Sequence, residues 1–388
     1  MSYKYPLSTS TWQKEEYDAL QNVIESNNFT MGEKVKQYEK NFANFIGSSY
    51  SIMVNSGSSA NLLMIAALFY TKKNELKLKR GDEIIVPAVS WSTTYIPLYQ
   101  YGLKLKFVDI DLHTLNYDLE KLEEAVNNKT RAIMVVNLLG NPNNFNQINN
   151  IIANKEIILI EDNCESLGAI FNKKYCGTYG IMGTFSSFYS HHICTMEGGM
   201  IVTDDIELYH ILLSLRAHGW TRDLPEENQI CKKQDDNSFN ELFRFILPGF
   251  NVRPLEMEGA LGIEQLKRLP SIISERRKNA RLIQEILYNH PDIMIQKEID
   301  ESSWFGFSLV IKPNSKLKRE NLLLKLKKIG FETRPIVAGN FTKNEVVNYF
   351  DYEIHGKLEN AKHIDQNGLF IGNQHYPIPD AIKLLKDL

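Results

Sequence analysis

Hydrophobic residues follow two periodicities along this chain. Short apolar runs, such as residues 132–136 and 157–160, have the length and composition of buried strands. Between them lie segments with apolar residues three or four positions apart, such as residues 119–126, which is the spacing of an amphipathic helix. Strands that alternate with helices predict an α/β fold with a mostly parallel central sheet flanked by helices.

The pattern changes near residues 265–275. Pro270 should end one helix and open another that runs to residue 288, because a proline inside a helix removes a hydrogen bond. Beyond it the pattern predicts strands at 304–311 and 332–336 and a helix at 319–329. We therefore expect a large domain over residues 1–268, and a smaller α+β domain over 269–388 on which the N-terminal helix can pack. Residues 224–238 are polar and predict a loop or flap.

Composition excludes several classes of protein. The 388 residues are 43% hydrophobic and 23% charged, as in ordinary globular proteins, and the net charge of -3 offers no footprint for nucleic acid. No segment has the apolar length of a membrane span, and the N-terminus lacks the apolar core of a secretory signal, so we expect a cytoplasmic protein. The cysteines are widely spaced, without the pattern of a zinc or iron-sulfur site, and no metal is expected. They are Cys164, Cys176, Cys194 and Cys231.

Polar residues gather where the predicted strands end. A strand feeds the small-residue turn at residues 56–59 and then a helix, which is the arrangement of an anion site. Trp91 and Asp162 each follow another predicted strand. Because ligands of parallel sheets bind at the carboxyl ends of the strands, these residues should meet in one pocket. The alternatives are N-capping by Ser58, a core position for Trp91 and a helix cap for Asp162.

A second polar stretch, residues 184–199, reads TFSSFYSHHICTMEGG. It combines small hydroxyl residues, the adjacent His191 and His192, and Glu197 before a glycine pair. Hydroxyls and close backbone amides can bind a phosphate while an imidazole acts as a base, so the stretch predicts a site for a phosphate-bearing cofactor. The alternative is a polar turn with two solvated histidines.

Seven blocks together resemble the sugar aminotransferase (DegT/DnrJ/EryC1/StrS) family of pyridoxal phosphate (PLP) enzymes. They are SGSSANLLMIAAL, DEIIVPAVSWSTT, FVDID, NLLGNP, EDNCES, FSSFYSHH with EGG, and GFNVRPLE, in that order. The resemblance covers nearly the whole chain. It implies aminotransferase fold type I, a smaller C-terminal domain, and a homodimer whose active site is shared between subunits.

Position 191 departs from the family. The aminotransferases carry a lysine there that binds PLP as a Schiff base, which the imidazole of His191 cannot do. The chain therefore resembles the branch that has lost the lysine and acts as sugar 3-dehydratases. A related branch acting on CDP-sugars holds an iron-sulfur cluster on closely spaced cysteines, which are missing here. The resemblance thus implies a GDP-sugar as substrate, in biosynthesis of the dideoxysugar colitose for the lipopolysaccharide O-antigen.

The resemblance also assigns roles to individual residues. Asp162 should pair with the pyridine nitrogen, Trp91 should stack on the ring, and Glu165 should lie near its hydroxyl oxygen. His191 should be the catalytic base, with His192 orienting it or filling space. The remaining cofactor ligands, all to the phosphate, should be Gly57, Ser58, Ser186 and, from the neighbouring subunit, Asn251. Candidates for substrate binding are Trp220, Arg253 and Arg334; either arginine could instead make an interdomain ion pair.

The implied reaction uses glutamate to convert PLP to pyridoxamine phosphate (PMP), and then removes the 3-hydroxyl of a GDP-linked 4-keto-6-deoxy sugar. Three alternatives stay open. The chain could be a PLP-dependent nucleotide-sugar 4-aminotransferase with its lysine elsewhere, although residues 184–199 contain no lysine. It could dehydrate another sugar on GDP, such as a heptose, or it could bind PLP or a nucleotide sugar without catalysis.

Overall fold

A computed structural model describes residues 3–234 and 237–388 of the chain. The strands are β1 Tyr50–Val54, β2 Glu83–Pro87, β3 Lys104–Val108, β4 Thr130–Val136, β5 Ile158–Asp162, β6 Ile170–Phe171, β7 Lys174–Tyr175, β8 Met182–Ser186, β9 Gly199–Thr203, β10 Ile293–Met294, β11 Gly306–Ile311, β12 Thr333–Arg334, β13 Tyr352–Ile354 and β14 Gly368–Gly372. The α-helices are α1 Lys14–Ser26, α2 Glu33–Ile46, α3 Gly57–Tyr70, α4 Ser92–Gln100, α5 Leu119–Ala125, α6 Phe145–Ile152, α7 Ile206–Arg216, α8 Ser238–Leu242, α9 Glu256–Leu287, α10 Arg319–Ile329, α11 Glu359–Asn367 and α12 Pro379–Lys383. Short 3₁₀ turns occur at Leu138–Gly140, Phe341–Lys343, Glu345–Tyr349 and Leu384–Asp387.

The central sheet has eight strands in the order β1-β9-β8-β5-β4-β2-β3-β13. All neighbours in it run parallel except β9, which is antiparallel to both β1 and β8. The carboxyl ends of β2, β4, β5 and β8 therefore point to one edge. The sequence-based prediction of a mostly parallel sheet is confirmed.

Alternation along the strands builds a core on each face of this sheet. In β2, Ile84 and Val86 pack with helices α3, α4 and α7, whereas Ile85 faces the opposite layer with α5 and α6. In β1, Ile52 joins the first of these cores, while Met53 packs with residues of α2 and α9. Both faces of the inner strands are thus buried, which explains why most of their residues are apolar. The buried charges Glu83 and Lys106, on β2 and β3, pair with each other at 2.8 Å.

Helix α9 runs for 32 residues through Pro270, so the expectation of two helices was wrong. The proline removes one backbone hydrogen bond, but apolar neighbours on both sides of it are buried in one cluster. These neighbours are Leu266, Leu269, Ile272 and Ile273. Further along, Ala280, Ile283 and Leu287 of the same helix belong to the core of the four-stranded sheet β10-β11-β14-β12. Tertiary packing therefore keeps the helix continuous.

The C-terminal part of the chain returns to the large sheet. Strand β13 pairs in parallel with β3 at the sheet edge, and Phe341 and Phe350 join the main core. Conversely, Tyr5 near the N-terminus bridges to Phe331, and α1 packs on α9, where Thr11 bonds Gln265. The expected division at 268/269 lies within α9, and it stays a prediction.

The predicted loop over 224–238 is described only in part, since residues 235 and 236 lie outside the described residues. Residues 224–234 contain no helix or strand, and helix α8 begins where the predicted loop ends. In the described ranges no helix combines the length and the hydropathy that crossing a bilayer requires.

Candidate active site

A cavity of about 630 Å³ opens at the carboxyl edge of the parallel strands. Val136, Asp162 and Ser186 end β4, β5 and β8 at its wall, and Trp91 follows β2. The predicted site residues that line it are Gly57, Ser58, Trp91, Asp162, Glu165, Ser186, His191 and Arg334. The strand topology therefore brings together residues that lie far apart in the sequence.

The first turn of α3 forms a narrow cradle. The side chain of Ser56, rather than that of Ser58, caps the helix by accepting a hydrogen bond from the backbone N–H of Ser59 at 3.1 Å. The Ser58 hydroxyl is free of that task and donates to Thr93 Oγ1 at 3.0 Å. A Cβ atom at Gly57 would lie 2.7 Å from the Cβ of Ser186 and 2.8 Å from the sulfur of Cys164. The helix N-terminus thus presents backbone amides to the cavity at a place where only glycine fits.

Asp162 is held as an acceptor at the back of the cavity. Its Oδ2 accepts hydrogen bonds from Asn61 Nδ2 at 2.9 Å and Thr94 Oγ1 at 2.8 Å, and its Oδ1 accepts one from the backbone of Cys164. The side chain is only 6% exposed. These partners fix its position. A role as a helix cap is excluded because β5 is followed by strand β6, with no helix starting between them. A buried carboxylate of this kind can pair with a protonated ring nitrogen.

Glu165 lies near Asp162 on the cavity wall. Its Oε2 accepts a hydrogen bond from the backbone N–H of Leu139 at 3.1 Å. Burial raises the pKa of Glu165 to about 7, and the charge of Asp162 adds to this effect. The side chain can therefore be present as the neutral acid, which can donate a hydrogen bond.

The two histidines have different environments. His191 lines the cavity, and no described residue bonds its buried Nδ1. Burial lowers the pKa of His191 to about 4, and the positive charge of Arg276 contributes to this. His192 is fully buried behind it, with Nε2 3.0 Å from the carbonyl oxygen of Ser303. Only His191 can reach a bound molecule, so the alternative of two solvated histidines is wrong.

The cavity mouth carries an exposed aromatic side chain and an arginine. Trp91 is 57% exposed, which excludes a core position for it. Arg334 is exposed in β12 and forms no ion pair with any described residue. The alternative of an interdomain ion pair for Arg334 is therefore not supported among the described residues. Leu7 from the N-terminal segment completes this side, where its backbone N–H donates to Glu332 at 3.0 Å.

Three predicted site residues lie outside this cavity. Arg253 Nε donates to Asn251 Oδ1 at 3.1 Å, and its guanidinium carbon lies 6.0 Å from the centre of the Trp220 ring. Asn251 is exposed. In this aromatic and basic cluster (Trp220, Asn251, Arg253), Asn251 is the exposed member, while Trp220 and Arg253 are partly buried.

The sequence analysis missed several residues of the site. Asn61 and Thr94 hold Asp162, and Phe305 packs against His191 with the ring centres 5.2 Å apart. Asn61 and Thr94 lie inside the blocks SGSSANLLMIAAL and DEIIVPAVSWSTT. Each is a polar residue on a helix close to a predicted ligand-binding turn, and that position could have indicated a role in the site. For Phe305 no local signal exists, because its role depends on tertiary packing.

This fold and this cavity are those of an enzyme of the aminotransferase class. The chain belongs to the DegT/DnrJ/EryC1/StrS aminotransferase family, whose model matches residues 10–376. It is 61% identical over 385 residues to the GDP-4-keto-6-deoxy-D-mannose 3-dehydratase of Escherichia coli O55:H7, and the match covers 99% of each chain. The predicted family and fold class are confirmed.

Solved structures agree with this assignment. The E. coli GDP-4-keto-6-deoxy-D-mannose 3-dehydratase with bound hydrated PLP matches with a TM-score of 0.98 and 60% identity, over 100% of this chain and 99% of that one. A GDP-4-keto-6-deoxymannose 3-dehydratase with a trapped PLP-glutamate geminal diamine matches with a TM-score of 0.97, at 60% identity and 99% coverage of each chain.

Proposed function

We propose that this chain is a PLP/PMP-dependent dehydratase that converts GDP-4-keto-6-deoxy-D-mannose to GDP-4-keto-3,6-dideoxy-D-mannose. L-Glutamate is the amino donor, and 2-oxoglutarate and ammonia are released. The observation that carries the proposal is the placement of His191 at a cavity with an intact anion cradle and Asp162. The 3-dehydratase that is 61% identical to this chain supports the choice of sugar.

The residues of the cavity fit the cofactor. The backbone amides of Gly57 and Ser58 at the helix N-terminus, with the Ser186 hydroxyl, would hold the phosphate. Asp162 would pair with the pyridine nitrogen and keep it protonated, and Trp91 would cover the ring. The close approach at Gly57 is the structural support, since a side chain there would fill the cradle. Glu165 in its neutral form would donate to the ring's hydroxyl oxygen.

His191 would move the proton that the dehydration requires. When bound, PMP supplies an amine that condenses with the 4-keto carbon and a ring that accepts an electron pair. With the cofactor bound, His191 would accept the proton released at its 4' carbon, and it could return that proton so that the 3-hydroxyl of the sugar leaves as water. Its low pKa keeps the imidazole neutral, and so ready to accept that proton, at neutral pH. Glutamate supplies the electrons, and its nitrogen leaves as ammonia.

We further propose a homodimer in which each cavity is completed by the Trp220, Asn251 and Arg253 cluster of the other subunit. The exposure of Asn251, outside the cavity of its own chain, supports this arrangement. Mixing Asn251→Ala with His191→Asn subunits tests it, because only a shared site allows two inactive variants to restore activity in hybrid dimers. Mixtures without activity, with hybrid dimers formed, would contradict the shared site.

Arg334 is the candidate for binding the carboxylate of glutamate or the diphosphate, since it lies at the cavity mouth and no residue within 3–234 and 237–388 forms an ion pair with its guanidinium. We place the reaction in the cytoplasm, where isolated cysteines stay reduced. The proposal also keeps the division into residues 1–268 and 269–388.

The deciding experiment is the mass of the nucleotide sugar after incubation with PLP, glutamate and GDP-4-keto-6-deoxy-D-mannose. A product lighter by one oxygen atom, with ammonia formed in equal amount, is the expected result. A product that gains nitrogen at carbon 4 would instead identify a 4-aminotransferase. An unchanged sugar would contradict the proposed substrate, and a heptose on GDP would then be tried next.

A further inference from the structure

A buried arginine lies behind the two histidines. Arg276, in α9, is only 3% exposed, and its Nη1 donates to the carbonyl oxygens of Phe305 at 3.0 Å and Trp304 at 3.4 Å. Asn373 Nδ2 donates to the same Trp304 oxygen at 2.9 Å. Within residues 3–234 and 237–388 no carboxylate forms an ion pair with Arg276, and its Nε has no partner. Burying a cation without a paired anion costs stability, because the lost hydration is not replaced by an ion pair.

The main chain that Arg276 binds is the surface on which both imidazoles rest. The ring centre of Phe305 lies 5.2 Å from that of His191 and 5.8 Å from that of His192. The carbonyl of Ser303 lies within hydrogen-bond distance of His192. Trp304, between them, has a φ of 48°, in the left-handed region that bulky residues rarely adopt. The hydrogen bonds from Arg276 and Asn373 therefore stabilise this segment in a backbone conformation that is unfavourable for a bulky residue.

The charge of Arg276 acts in the same place. A fixed positive charge in a buried environment disfavours the protonated form of a nearby imidazole. After burial itself, Arg276 is the largest cause of the low pKa of both His191 and His192. The other charged or titratable groups that face the cavity or this pair are Asp162, Cys164, Glu165, Tyr189, Glu197, Glu332, Arg334 and Arg277. For His191, burial and the charge of Arg276 outweigh any effect of these groups, so its pKa is lowered.

We propose that Arg276 is a positioning residue for His191. Its guanidinium fixes the Trp304–Phe305 main chain against the two imidazoles, and its uncompensated charge disfavours protonation of His191. The meaning for catalysis rests on the proposed function. The effect on the protonation of His191 does not, and it can be measured without substrate.

The test is an NMR titration of isotope-labelled histidine, with the His191 signal assigned by its loss in His191→Asn. Arg276→Gln removes the charge but keeps a donor for the carbonyls, whereas Arg276→Lys keeps the charge. We expect Arg276→Gln to raise the pKa of His191 by about one unit, roughly tenfold in proton affinity, and Arg276→Lys to leave it low. The matched control is Lys278→Gln on the same helix, because Lys278 is exposed and already paired with Glu275 at 2.6 Å.

An unchanged pKa of His191 in a folded Arg276→Gln protein would overturn the proposal. If that variant does not fold, the wild-type titration decides, since a His191 pKa at or above the ordinary 6.5 is incompatible with it. In the active enzyme the acidic limb of the kcat profile should shift to higher pH in Arg276→Gln and not in Lys278→Gln. A shifted His191 signal in a protein without dehydratase activity would refute the proposed function alone.

Discussion

Replacing Gly57 by alanine tests the cradle most directly. The added methyl carbon would lie 2.7 Å from the Ser186 Cβ, 2.8 Å from the Cys164 sulfur and 3.2 Å from the Ser186 hydroxyl. Carbon atoms in contact prefer about 3.5–4.0 Å, so the methyl is about 1 Å too close. Ser186 cannot yield easily, because β8 is buried and paired on both sides. The N-terminus of α3 must therefore move.

A shift of that size displaces the amides that are proposed to hold the phosphate. We expect about 100-fold weaker binding of PLP and PMP, on the scale of a 1 Å misplacement, and about 1–3 kcal/mol of lost stability from overpacking. Absorbance titrations with each cofactor and thermal unfolding measure the two effects separately. Ser59→Ala is the matched control: it removes a hydrogen bond with Ser56 in the same turn without adding volume.

Wild-type cofactor affinity in a folded Gly57→Ala protein would refute the cradle, even if its melting temperature fell. A loss of affinity that Ser59→Ala shared would also refute it, because the effect would then come from a weakened helix start and not from the filled space.

Three other changes probe the site. His191→Asn should lower the rate of dehydration about 10²–10⁴-fold, measured by product mass, while a titration still shows binding of PMP. Full activity of this variant would refute the role of His191 as the base. His191→Lys should allow borohydride to fix PLP to the chain, and an unlabelled protein would contradict the proposed approach of residue 191 to the cofactor. Asp162→Asn should lower kcat about 100-fold, since a neutral amide cannot stabilise a protonated ring nitrogen; an unchanged kcat would refute this pairing.

The acid stability of the fold should also depend on His191. Its pKa in the folded state, about 4, is below the ordinary 6.5, so its stabilising contribution is complete above pH 6.5 and declines as the pH falls towards 4. Wild type should therefore lose more stability than His191→Asn over that interval, as measured by chemical denaturation. Comparing the two proteins removes the opposite contribution of Glu165, whose pKa is raised. Parallel curves for the two proteins would contradict a buried neutral imidazole.

The inner strands of the sheet were predictable from the sequence because both of their faces are buried. Residues 84–86 and 132–136 are continuous apolar runs for that reason. Strand β13, in contrast, is three residues long and only partly buried at the edge, so its pairing with β3 leaves no pattern in the sequence. The continuity of α9 through Pro270 was also unpredictable locally, because burial by distant residues offsets the lost hydrogen bond.

The site was predicted where its residues end strands or start helices. Asp162 and Gly57 belong to such places, and the strand topology then brings them together. Arg276 was missed, although Ile272, Ile273 and Ala280, three or four positions away on α9, place it on the buried helix face. The adjacent Arg277 has the same local sequence but reaches Glu301 at the surface. Periodicity could have indicated the burial of Arg276, but not what it binds.

Helix α9 has a mechanical consequence. At 1.5 Å per residue it is a rod of about 48 Å that contributes side chains to two hydrophobic cores and carries Arg276 between them. Because residues of the same helix belong to both cores, the unfolding of one core removes packing from the other. We therefore expect both cores to unfold in a single thermal transition. A cavity created by truncating Ile283, which does not line the active-site cavity, should therefore also affect His191 and His192 through Arg276 in the middle of the helix.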